Sequence, residues 1–426
     1  MNKKQILYLS YFYPMDVVRS RKLPTRNIAG NNRIKRITGA LASAGWGVHI
    51  VTPGICAKCG FSAQLLHGTY TTREDGIDVT VAPAVGVPLL GALLEILLFP
   101  LWLLQFVYRN RFDGAVCYNY SLSFVLVAVI LRMFGIPIVA EVEDIAVPSL
   151  SDWRPGAETR PVQQLVMWFC MRIITGLSTG LLVPSQRFLR SLPVGKTSLV
   201  VSGCIADSEW GEERPVQLRE PIRVLFVGGY EIEHGVDVFV DALKLLRSEP
   251  SLGSKFVVDC CGTRNYPSAL QSLSQAEGQP AIRLHGLLSD EEYRNLLAET
   301  SVALVLQKGK GRHAYFKSPS KAYEFLAAGK LVVSTDVGDL ASLGGSHLIL
   351  MQHESAEELV RILGEIAEDP QKYEAIALAA RTFSLREATY AAVGSKLTAF
   401  LTQAFNLDHS RRRGPQENAK PGDVHR

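Results

Sequence analysis

The sequence has no excess of charge of one sign and few cysteines. Its 45 Lys and Arg residues are matched by 41 Asp and Glu residues, and the net charge of +4 is too small to indicate a nucleic-acid-binding protein. The 7 Cys are odd in number and irregularly spaced, which argues against a disulfide framework and for a reducing compartment. The segment 1–14 lacks the long apolar run and the cleavage site of a signal peptide. We therefore expect a cytoplasmic protein, with the inner face of the membrane as a second location.

Long apolar runs are also scarce, and Val87–Tyr108 is the stretch that approaches the length of a membrane span. Glu95 lies near its middle, where a carboxylate is costly in a bilayer, and Pro88 and Pro100 interrupt the pattern. A transmembrane helix is therefore the least favoured interpretation. A helix that lies in the headgroup region and a helix that packs in a protein core both fit the same residues, and that choice stays open.

The composition is that of a folded protein, 47% hydrophobic and 20% charged, in a chain long enough for two domains. Apolar β-type runs alternate with helical patterns in two successive series, which predicts an α/β protein with two doubly wound, Rossmann-like domains. Open α/β sheets bind ligands at the carboxyl ends of their strands, so the cleft between the domains is the expected site. The predicted organisation is a first domain over 1–205, a linker over 206–221, a second domain over 222–385, a helix over 386–407 that crosses back to the first domain, and a disordered tail over 408–426.

Basic and glycine residues are concentrated in Gln307–Lys330, QKGKGRHAYFKSPSKAYEFLAAGK. A strand pattern ends there, and Ser318-Pro319-Ser320 marks the start of a helix. The free N–H groups and the dipole at such a helix start favour a phosphate, so a diphosphate suits this place. A solvated basic loop before a capped helix is the alternative. The cations in question are Lys308, Lys310, Arg312, Lys317 and Lys321.

The segment SPSKAYEFLAAGKLVVSTDVG, which starts at Ser318, resembles the donor-binding helix and following strand of the family-4 retaining glycosyltransferases, which have the GT-B fold. The family pattern is Glu, seven residues, a second Glu, and then Ala-x-Gly. Glu324 matches the second Glu, whereas Phe316 stands in place of the first, which contacts the transferred sugar. Members with Pro-Ser-Lys before the second Glu share this departure and are more similar to this chain. The resemblance implies that Glu324 holds the ribose hydroxyls of a nucleotide, beside Ser318, Ser320 and Lys321 in the donor site.

The segment Val224–Leu243 resembles the first strand, loop and helix of the family's second domain. The family commonly has an Arg and a Lys on the donor phosphates, at positions where this chain has Gly229 and His234. We expect His234 to be catalytic, with Lys321, by donating a hydrogen bond to the diphosphate there; a loop histidine that only caps is the alternative. The charge on the departing diphosphate then needs another cation. The expected phosphate contacts are Gly228, Gly229 and His234, with Lys321 aided by Lys317 or Arg312.

Two segments of the first half complete the resemblance. Gly30 keeps the first position of the family's Gly-Gly loop, which implies a close backbone approach to the diphosphate and sugar. The segment AEVEDIAVP follows a predicted strand at the place where the family has a polar residue of the catalytic face. Glu141, Glu143 and Asp144 are the candidates, and position in the motif selects Asp144 as the catalytic residue. A carboxylate that caps the next helix is the alternative.

No spacing of His, Cys or Asp predicts a metal site, and we expect neither a metal nor a cofactor besides the donor. The resemblance covers about residues 5–400 and implies a metal-independent glycosyltransferase, of hexosyltransferase type, that moves a sugar from a nucleotide sugar with retention. The implied partners are a glycan or lipid-linked acceptor of surface-polysaccharide or glycolipid synthesis and a membrane surface, with no nucleic acid. A nucleotide-sugar epimerase or hydrolase, and a non-catalytic homologue that binds the nucleotide sugar, are the alternative functions.

Overall fold

Two parallel-rich β-sheets, each flanked by helices, form the fold. The computed structural model describes residues 3–23, 28–56, 66–87, 90–144, 161–192, 195–206, 216–262, 265–308, 316 and 318–413. Alternate residues of each central strand enter different apolar clusters, as Tyr8 and Leu9 of the first sheet and Phe226 and Leu225 of the second do. Both faces of each sheet are therefore buried, which explains why the strands read as continuous apolar runs in the sequence.

The first half contains an eight-stranded sheet in the order β10-β9-β8-β7-β1-β2-β5-β4. Its neighbouring strands are parallel except for β4, which pairs antiparallel with β5. The elements are β1 (Gln5–Leu9), α1 (Met15–Ser20), α2 (Ile28–Ser43), β2 (Gly47–Thr52), β3 (Leu66–His67), β4 (Tyr70–Glu74), β5 (Ile77–Val81), β6 (Ala84–Val85), α3 (Leu90–Arg109), β7 (Gly114–Tyr118), α4 (Leu122–Met133), β8 (Ile138–Glu141), α5 (Pro161–Leu177), β9 (Gly180–Val183), α6 (Gln186–Ser191) and β10 (Thr197–Val200).

The second half contains a six-stranded parallel sheet in the order β13-β12-β11-β14-β15-β16. A short 3₁₀ turn at Ile232–His234 precedes its first long helix. The elements are β11 (Ile222–Val227), α7 (Val236–Ser248), α8 (Pro250–Gly253), β12 (Phe256–Cys261), α9 (Ser268–Gln275), β13 (Ala281–Gly286), α10 (Asp290–Glu299), β14 (Val302–Val305), α11 (Ser320–Ala327), β15 (Leu331–Ser334), β16 (Ile349–Leu350), α12 (Ala356–Glu368), α13 (Pro370–Glu387) and α14 (Tyr390–Arg413).

The connections reverse direction beside the first strand of each half. β1 lies between β2 and β7, and β11 lies between β12 and β14. Such reversal points leave a crevice at the carboxyl ends of the strands, which is where doubly wound sheets bind ligands. The two parallel-rich sheets with alternating helices confirm the predicted α/β class with two Rossmann-like halves. Residues 207–215 of the predicted linker lie outside the described residues.

The last helix, α14, packs against α2 of the first half. Trp46 Nε1 donates a hydrogen bond to Thr398 Oγ1 at 2.9 Å, and Leu401 and Phe405 enter the core around β1. Gly114 has no room for a side chain because a Cβ there would lie 2.3 Å from the Phe405 ring. The helix continues to Arg413, so the predicted tail boundary at residue 408 is wrong. The run Asp408–Arg413 contains no Gly or Pro, and cations near a helix end interact favourably with its dipole.

Because α14 packs against the first half on one side, substitutions at different positions of this helix should change the free energy of unfolding by different amounts. Leu401 is 1% exposed within the first-half core, whereas Leu407 of the same helix is 41% exposed. Leu401→Ala is expected to lower the free energy of unfolding by about 2–5 kcal/mol because it leaves a cavity. Leu407→Ala, the matched control, should change it by less than about 0.5 kcal/mol. Urea unfolding measures both, and equal losses would contradict the packing described.

Candidate active site

A cleft of about 330 Å³ lies between the two halves at the carboxyl ends of their sheets. Its volume is in the range of small-molecule sites. The first half contributes the segments around α2 and after β8, and the second half contributes the segments after β11 and β14 and the start of α11. The side chains and glycines from the first half are Gly30, Arg33, Tyr118, Glu143, Asp144 and Ser202, and those from the second half include Gly228, Gly229, His234, Gln307, Ser318, Ser320 and Lys321.

A tight glycine turn after β11 forms one wall of the cleft. Gly228 has a φ of +139°, which side chains rarely adopt, and Gly262 of the next loop packs against its backbone. Gly235 starts α7 with a φ of +72°, and a Cβ there would lie 1.8 Å from the carbonyl oxygen of Leu306. The turn therefore requires glycine at both ends, and it brings bare backbone to the cleft surface.

Lys321 supplies the positive charge at the base of this wall. It is the second residue of α11, and its Nζ donates to the carbonyl oxygen of Val227 at 3.2 Å. A Cβ at Gly228 would lie 2.9 Å from the same Nζ, so the ammonium lies directly beneath the turn. Burial lowers the pKa of Lys321, while Glu324, one helical turn further, opposes that shift. A half-buried ammonium beside a helix N-terminus is well placed to meet an anion that enters the cleft.

Three other predicted donor contacts line the same cleft with different surroundings. Ser318 Oγ donates to the carbonyl oxygen of Ser202 at 2.7 Å, so this hydroxyl hydrogen links the two halves. His234 ends the 3₁₀ turn with a half-exposed ring, and its Nε2 lies 3.6 Å from Glu231 Oε2. Ser320 is the first residue of α11, whose N-cap position is Pro319 and has no side-chain hydrogen bond. A ligand at the helix start would meet main-chain N–H groups rather than a capping side chain.

Glu324 faces a neighbouring space rather than the cleft itself. This side cavity of about 590 Å³ is also lined by Arg36, Tyr293 and Arg294. The Glu324 carboxylate forms a hydrogen-bonded ion pair with Arg36 of α2, across the two halves. Tyr293 Oη is buried and has no hydrogen-bond partner among the described residues. The cavity therefore offers polar atoms one helical turn away from Lys321.

A buried guanidinium, that of Arg33, organises the first-half wall. Its Nε donates to Glu141 Oε1 at 3.0 Å, and its Nη1 donates to the carbonyl oxygen of Val201 at 2.6 Å. The hydroxyl of Tyr8 donates to the other oxygen of Glu141 at 2.5 Å. Burial raises the pKa of Glu141, and Arg33 opposes this shift. Glu141 is fully buried, so it balances Arg33 rather than facing the cleft.

Glu143 also lines the cleft, and one of its oxygens is buried beside Arg33. Its Oε1 lies 3.1 Å from Arg33 Nε, but the single hydrogen on that nitrogen is donated to Glu141. No hydrogen-bond partner of this oxygen is found among the described residues. Burial raises the pKa of Glu143 to about 7; Arg33 opposes the shift, and the nearby carboxylates of Glu141 and Asp144 add to it. Such a group changes its protonation state near neutral pH.

Asp144, the sequence-selected catalytic residue, lines the cleft but is more exposed than Glu143. Asn119 Nδ2 donates to its Oδ2 at 3.4 Å, and the Tyr120 hydroxyl donates to its carbonyl oxygen at 3.0 Å. Asn119 adopts a φ of +58° and also accepts from the Glu143 N–H at 2.8 Å. The residues after Asp144 lie outside the described part of the chain, so its role as a helix cap stays a prediction.

Other predicted positions turn out differently. Gly30 lies within α2, which starts at Ile28, so the expectation that it lies in a loop is wrong. The next residue, Asn31, is buried within the same helix. Phe316 packs edge-on against Phe188 of the first half, with ring centroids 6.3 Å apart. Arg312, Lys317 and Lys310 lie outside the described residues.

Two arginines of α2 that face the site were not predicted from the sequence. Arg33 and Arg36 are spaced by three residues on a helix whose other face is apolar, which is typical of a solvated helix surface. Lys308, which was grouped with the phosphate cations, instead forms an ion pair with Asp237 in the first turn of α7. Among the described residues, no group of three or more His, Cys, Asp and Glu side chains is placed to hold a metal ion.

Family comparisons match both halves of the chain. Residues 29–193 match a model described as glycosyl transferase 4-like domain, and residues 221–369 match a model described as glycosyl transferases group 1. No curated protein matches the chain by sequence.

Solved structures resemble the whole chain at low sequence identity. Sucrose-phosphate synthase from Thermosynechococcus elongatus has a TM-score of 0.67 at 13% identity, covering 95% of this chain and 100% of its own. The Anabaena protein HepE, in complex with UDP and glucose, has a TM-score of 0.64 at 14% identity, covering 93% and 99%. A glycosyltransferase from Rickettsia africae has a TM-score of 0.63 at 13% identity, covering 95% and 99%. The chain has the GT-B fold, with a glycosyltransferase domain matched in each half, and the site lies in the cleft between them.

The raised pKa of Glu143 predicts a pH-dependent effect on stability. The folded protein loses stability as pH rises from the ordinary value of 4.5 through about 7, because ionising this buried group costs free energy. Glu143→Gln removes that cost, so its free energy of unfolding should exceed that of the wild type by about 1–3 kcal/mol well above pH 7 and much less near pH 4. Urea unfolding across this range tests the difference, with Glu368→Gln, an exposed glutamate of α12, as the control. A difference independent of pH would contradict this assignment.

Proposed function

We propose that this chain is a family-4-type retaining glycosyltransferase that binds a nucleoside-diphosphate sugar in the cleft and transfers the sugar to an acceptor. The observation that carries the proposal is the half-buried ammonium of Lys321, set beneath the Gly228 turn and at the first turn of α11. A diphosphate supplies the negative charge that this arrangement can bind, and it is the leaving group of nucleotide-sugar chemistry.

The donor is proposed to extend from the cleft into the side cavity. Its phosphates would meet Lys321, the N–H groups at the start of α11 and the bare backbone of Gly228 and Gly229, with His234 as a further hydrogen-bond donor. Its ribose would meet the carboxylate of Glu324, which lies in the side cavity that is large enough for a nucleoside. HepE from Anabaena is solved with UDP, which makes uridine nucleotides the first donors to test.

The chemical step needs charge stabilisation on both sides of the breaking bond. The bond between the anomeric carbon and the phosphate oxygen breaks, and Lys321 stabilises the negative charge that develops on the diphosphate. The acceptor hydroxyl attacks the same face of the sugar, and its proton passes to the departing phosphate oxygen, so the configuration is retained. Ionised Glu143, which lines the cleft beside Arg33, stabilises the positive charge on the sugar ring. Asp144, beside it, is placed to orient the acceptor.

The acceptor is proposed to be a glycan or lipid-linked glycan of surface-polysaccharide or glycolipid synthesis, used without a metal ion. The support is the first-half wall, where an acceptor can reach Glu143 and Asp144 from the side opposite the donor turn. Closure of the two halves would exclude water, which otherwise competes with the acceptor.

A nucleotide-sugar-binding protein without transferase activity is the second candidate. Two observations favour it: Phe316 occupies the position of a sugar-contacting Glu and packs on Phe188, and Arg36 already pairs with Glu324. An epimerase or hydrolase on the same fold would consume the donor without an acceptor. Whether release of the nucleotide depends on an acceptor separates these functions from transfer.

Transfer predicts that UDP is released from a UDP-sugar only when an acceptor glycolipid fraction is present, and that release persists in EDTA. Lys321→Met should lower kcat/KM by about 10²–10³ because it removes charge stabilisation from the leaving diphosphate. Lys308→Met, the matched control outside the cleft, should stay within about twofold. Release without an acceptor would favour the hydrolase, and binding without release from any nucleotide sugar would favour the non-catalytic protein. NMR of the purified product then gives its anomeric configuration.

The pKa of Glu143 predicts the acid limb of the pH–rate profile. Because the ionised form is the active one, kcat/KM should fall as pH drops below about 7 in the wild type. Glu143→Gln should be slower by about a hundredfold at neutral pH and should lose this limb. An unchanged limb in this variant would assign the titration to another group, and Asp144→Asn, measured beside it, tests whether that group is Asp144.

A further inference from the structure

Three neighbouring helices on one side of the first sheet expose an apolar surface that the proposed transfer reaction does not use. α3 contacts α4, and α4 contacts α5, and all three pack on the same side of the first sheet through one apolar cluster. Each helix ends shortly before a strand of that sheet, namely β7, β8 and β9. Their C-terminal ends therefore lie at the sheet edge opposite the cleft, and α4 begins at the cleft edge.

Each helix carries a second apolar stripe on its outer side. On α3, Leu93, Leu97 and Leu101 recur every four residues, and Leu101 is 61% exposed. Residues four apart share one face of a helix, while Phe99 and Leu103 of the same helix face the core. The helix is thus apolar on both its buried and its exposed sides, unlike the usual surface helix.

The stripe continues across the other two helices. Leu122, Leu126 and Met133 are exposed on α4, and Leu165, Phe169 and Ile173 are exposed on α5. These residues also recur at spacings of four or seven, so each set forms one line along its helix. Three adjacent lines make a continuous apolar face, which a soluble monomer rarely leaves open to water. We call it the α3–α5 face.

Arginines outnumber carboxylates on these helices. Glu95 is the single carboxylate within the bounds of α3, α4 and α5. It is turned inward, where its Oε1 lies 3.4 Å from the Tyr11 hydroxyl, and burial raises its pKa. Basic residues stand at the C-terminal ends of the first two helices, Arg109 and the following Arg111 at α3 and Arg132 on α4, while Arg172 lies over the Trp168 ring further back on α5. The face therefore combines exposed apolar residues with a cationic margin.

We propose that the α3–α5 face is a membrane-docking surface that binds bilayers containing anionic lipids. Leu, Phe and Met side chains would enter the boundary between headgroups and acyl chains, and the arginines would contact the lipid phosphates. Within the described residues no helix has both the length and the apolarity to cross a bilayer, so the contact lies along the surface. The N-terminal end of α4, at the cleft edge, would bring a membrane-embedded acceptor close to the first-half wall. The proposal goes beyond the transfer reaction and does not need a donor or acceptor for its test.

Sedimentation with vesicles tests the proposal on the full chain. Wild-type protein should bind vesicles of phosphatidylcholine with phosphatidylglycerol, and bind less to phosphatidylcholine alone or in high salt. Leu97→Asp combined with Leu101→Asp should reduce the partition coefficient by about tenfold or more. Leu126→Gln, a milder change on α4, should reduce it less. Leu378→Asp on α13 is the matched control, since it is 48% exposed but outside the α3–α5 face, and it should bind like the wild type.

Circular dichroism and thermal unfolding of each variant show whether it is folded, and sedimentation velocity without vesicles reports the oligomeric state. Undiminished binding by the folded α3 and α4 variants would overturn the proposal, as would an equal loss in Leu378→Asp. A wild-type dimer that does not bind vesicles and dissociates on Leu97→Asp with Leu101→Asp would assign the face to a second copy of this chain instead. Arg109→Glu with Arg111→Glu should weaken binding to anionic vesicles and leave binding to phosphatidylcholine unchanged; any other result would remove the charge component of the proposal.

Discussion

The site depends on the position of the Lys321 ammonium beneath the Gly228 turn. It is held beneath a turn that only glycine can form, at the first turn of a helix, with one backbone carbonyl as its hydrogen-bond acceptor. Burial weakens its hold on the proton, so a bound anion stabilises both the charge and the fold around it. The expected family cations at Gly229 and His234 are replaced by a small residue and a half-exposed ring. A single lysine thus carries the described positive charge of this wall.

The opposite wall has the complementary arrangement. Arg33 is shared between two carboxylates: its Nε donates to Glu141, and a buried oxygen of Glu143, which lines the cleft, has no hydrogen-bond partner among the described residues. In the proposed reaction the leaving diphosphate becomes negative and the sugar ring becomes positive as the donor bond breaks. Lys321 on one wall and Glu143 on the other carry the opposite charges. Contacts such as Ser318 with Ser202 and the packing of α14 on α2 join the halves that present them. The α3–α5 face lies on the outer side of the first half, which binds the acceptor in the proposed reaction.

The sequence was most informative where one physical effect dominates. Strands buried on both faces, such as β1, β7, β11 and β15, form apolar runs, and these runs predicted the two α/β series. β4 was not predicted, because Tyr70–Glu74 is a polar antiparallel edge strand without an apolar run. Among the site residues, the glycine turn and Lys321 were predicted from two short segments of the sequence, Val224–Leu243 and the segment that starts at Ser318. Arg33 and Arg36 were missed because an arginine on an amphipathic helix has the same local pattern whether it faces water or a second domain. The choice between Glu143 and Asp144 likewise depends on where Arg33 lies, 108 residues before Glu141 in the chain.

The crystal structure of the chain with a bound nucleoside diphosphate, UDP first, tests the central claim most directly. We expect a phosphate oxygen within hydrogen-bond distance of Lys321 Nζ and of the backbone at Gly228 or Gly229, with the nucleoside directed into the side cavity beside Glu324. A diphosphate bound elsewhere, with Lys321 still donating only to the carbonyl of Val227, would contradict it.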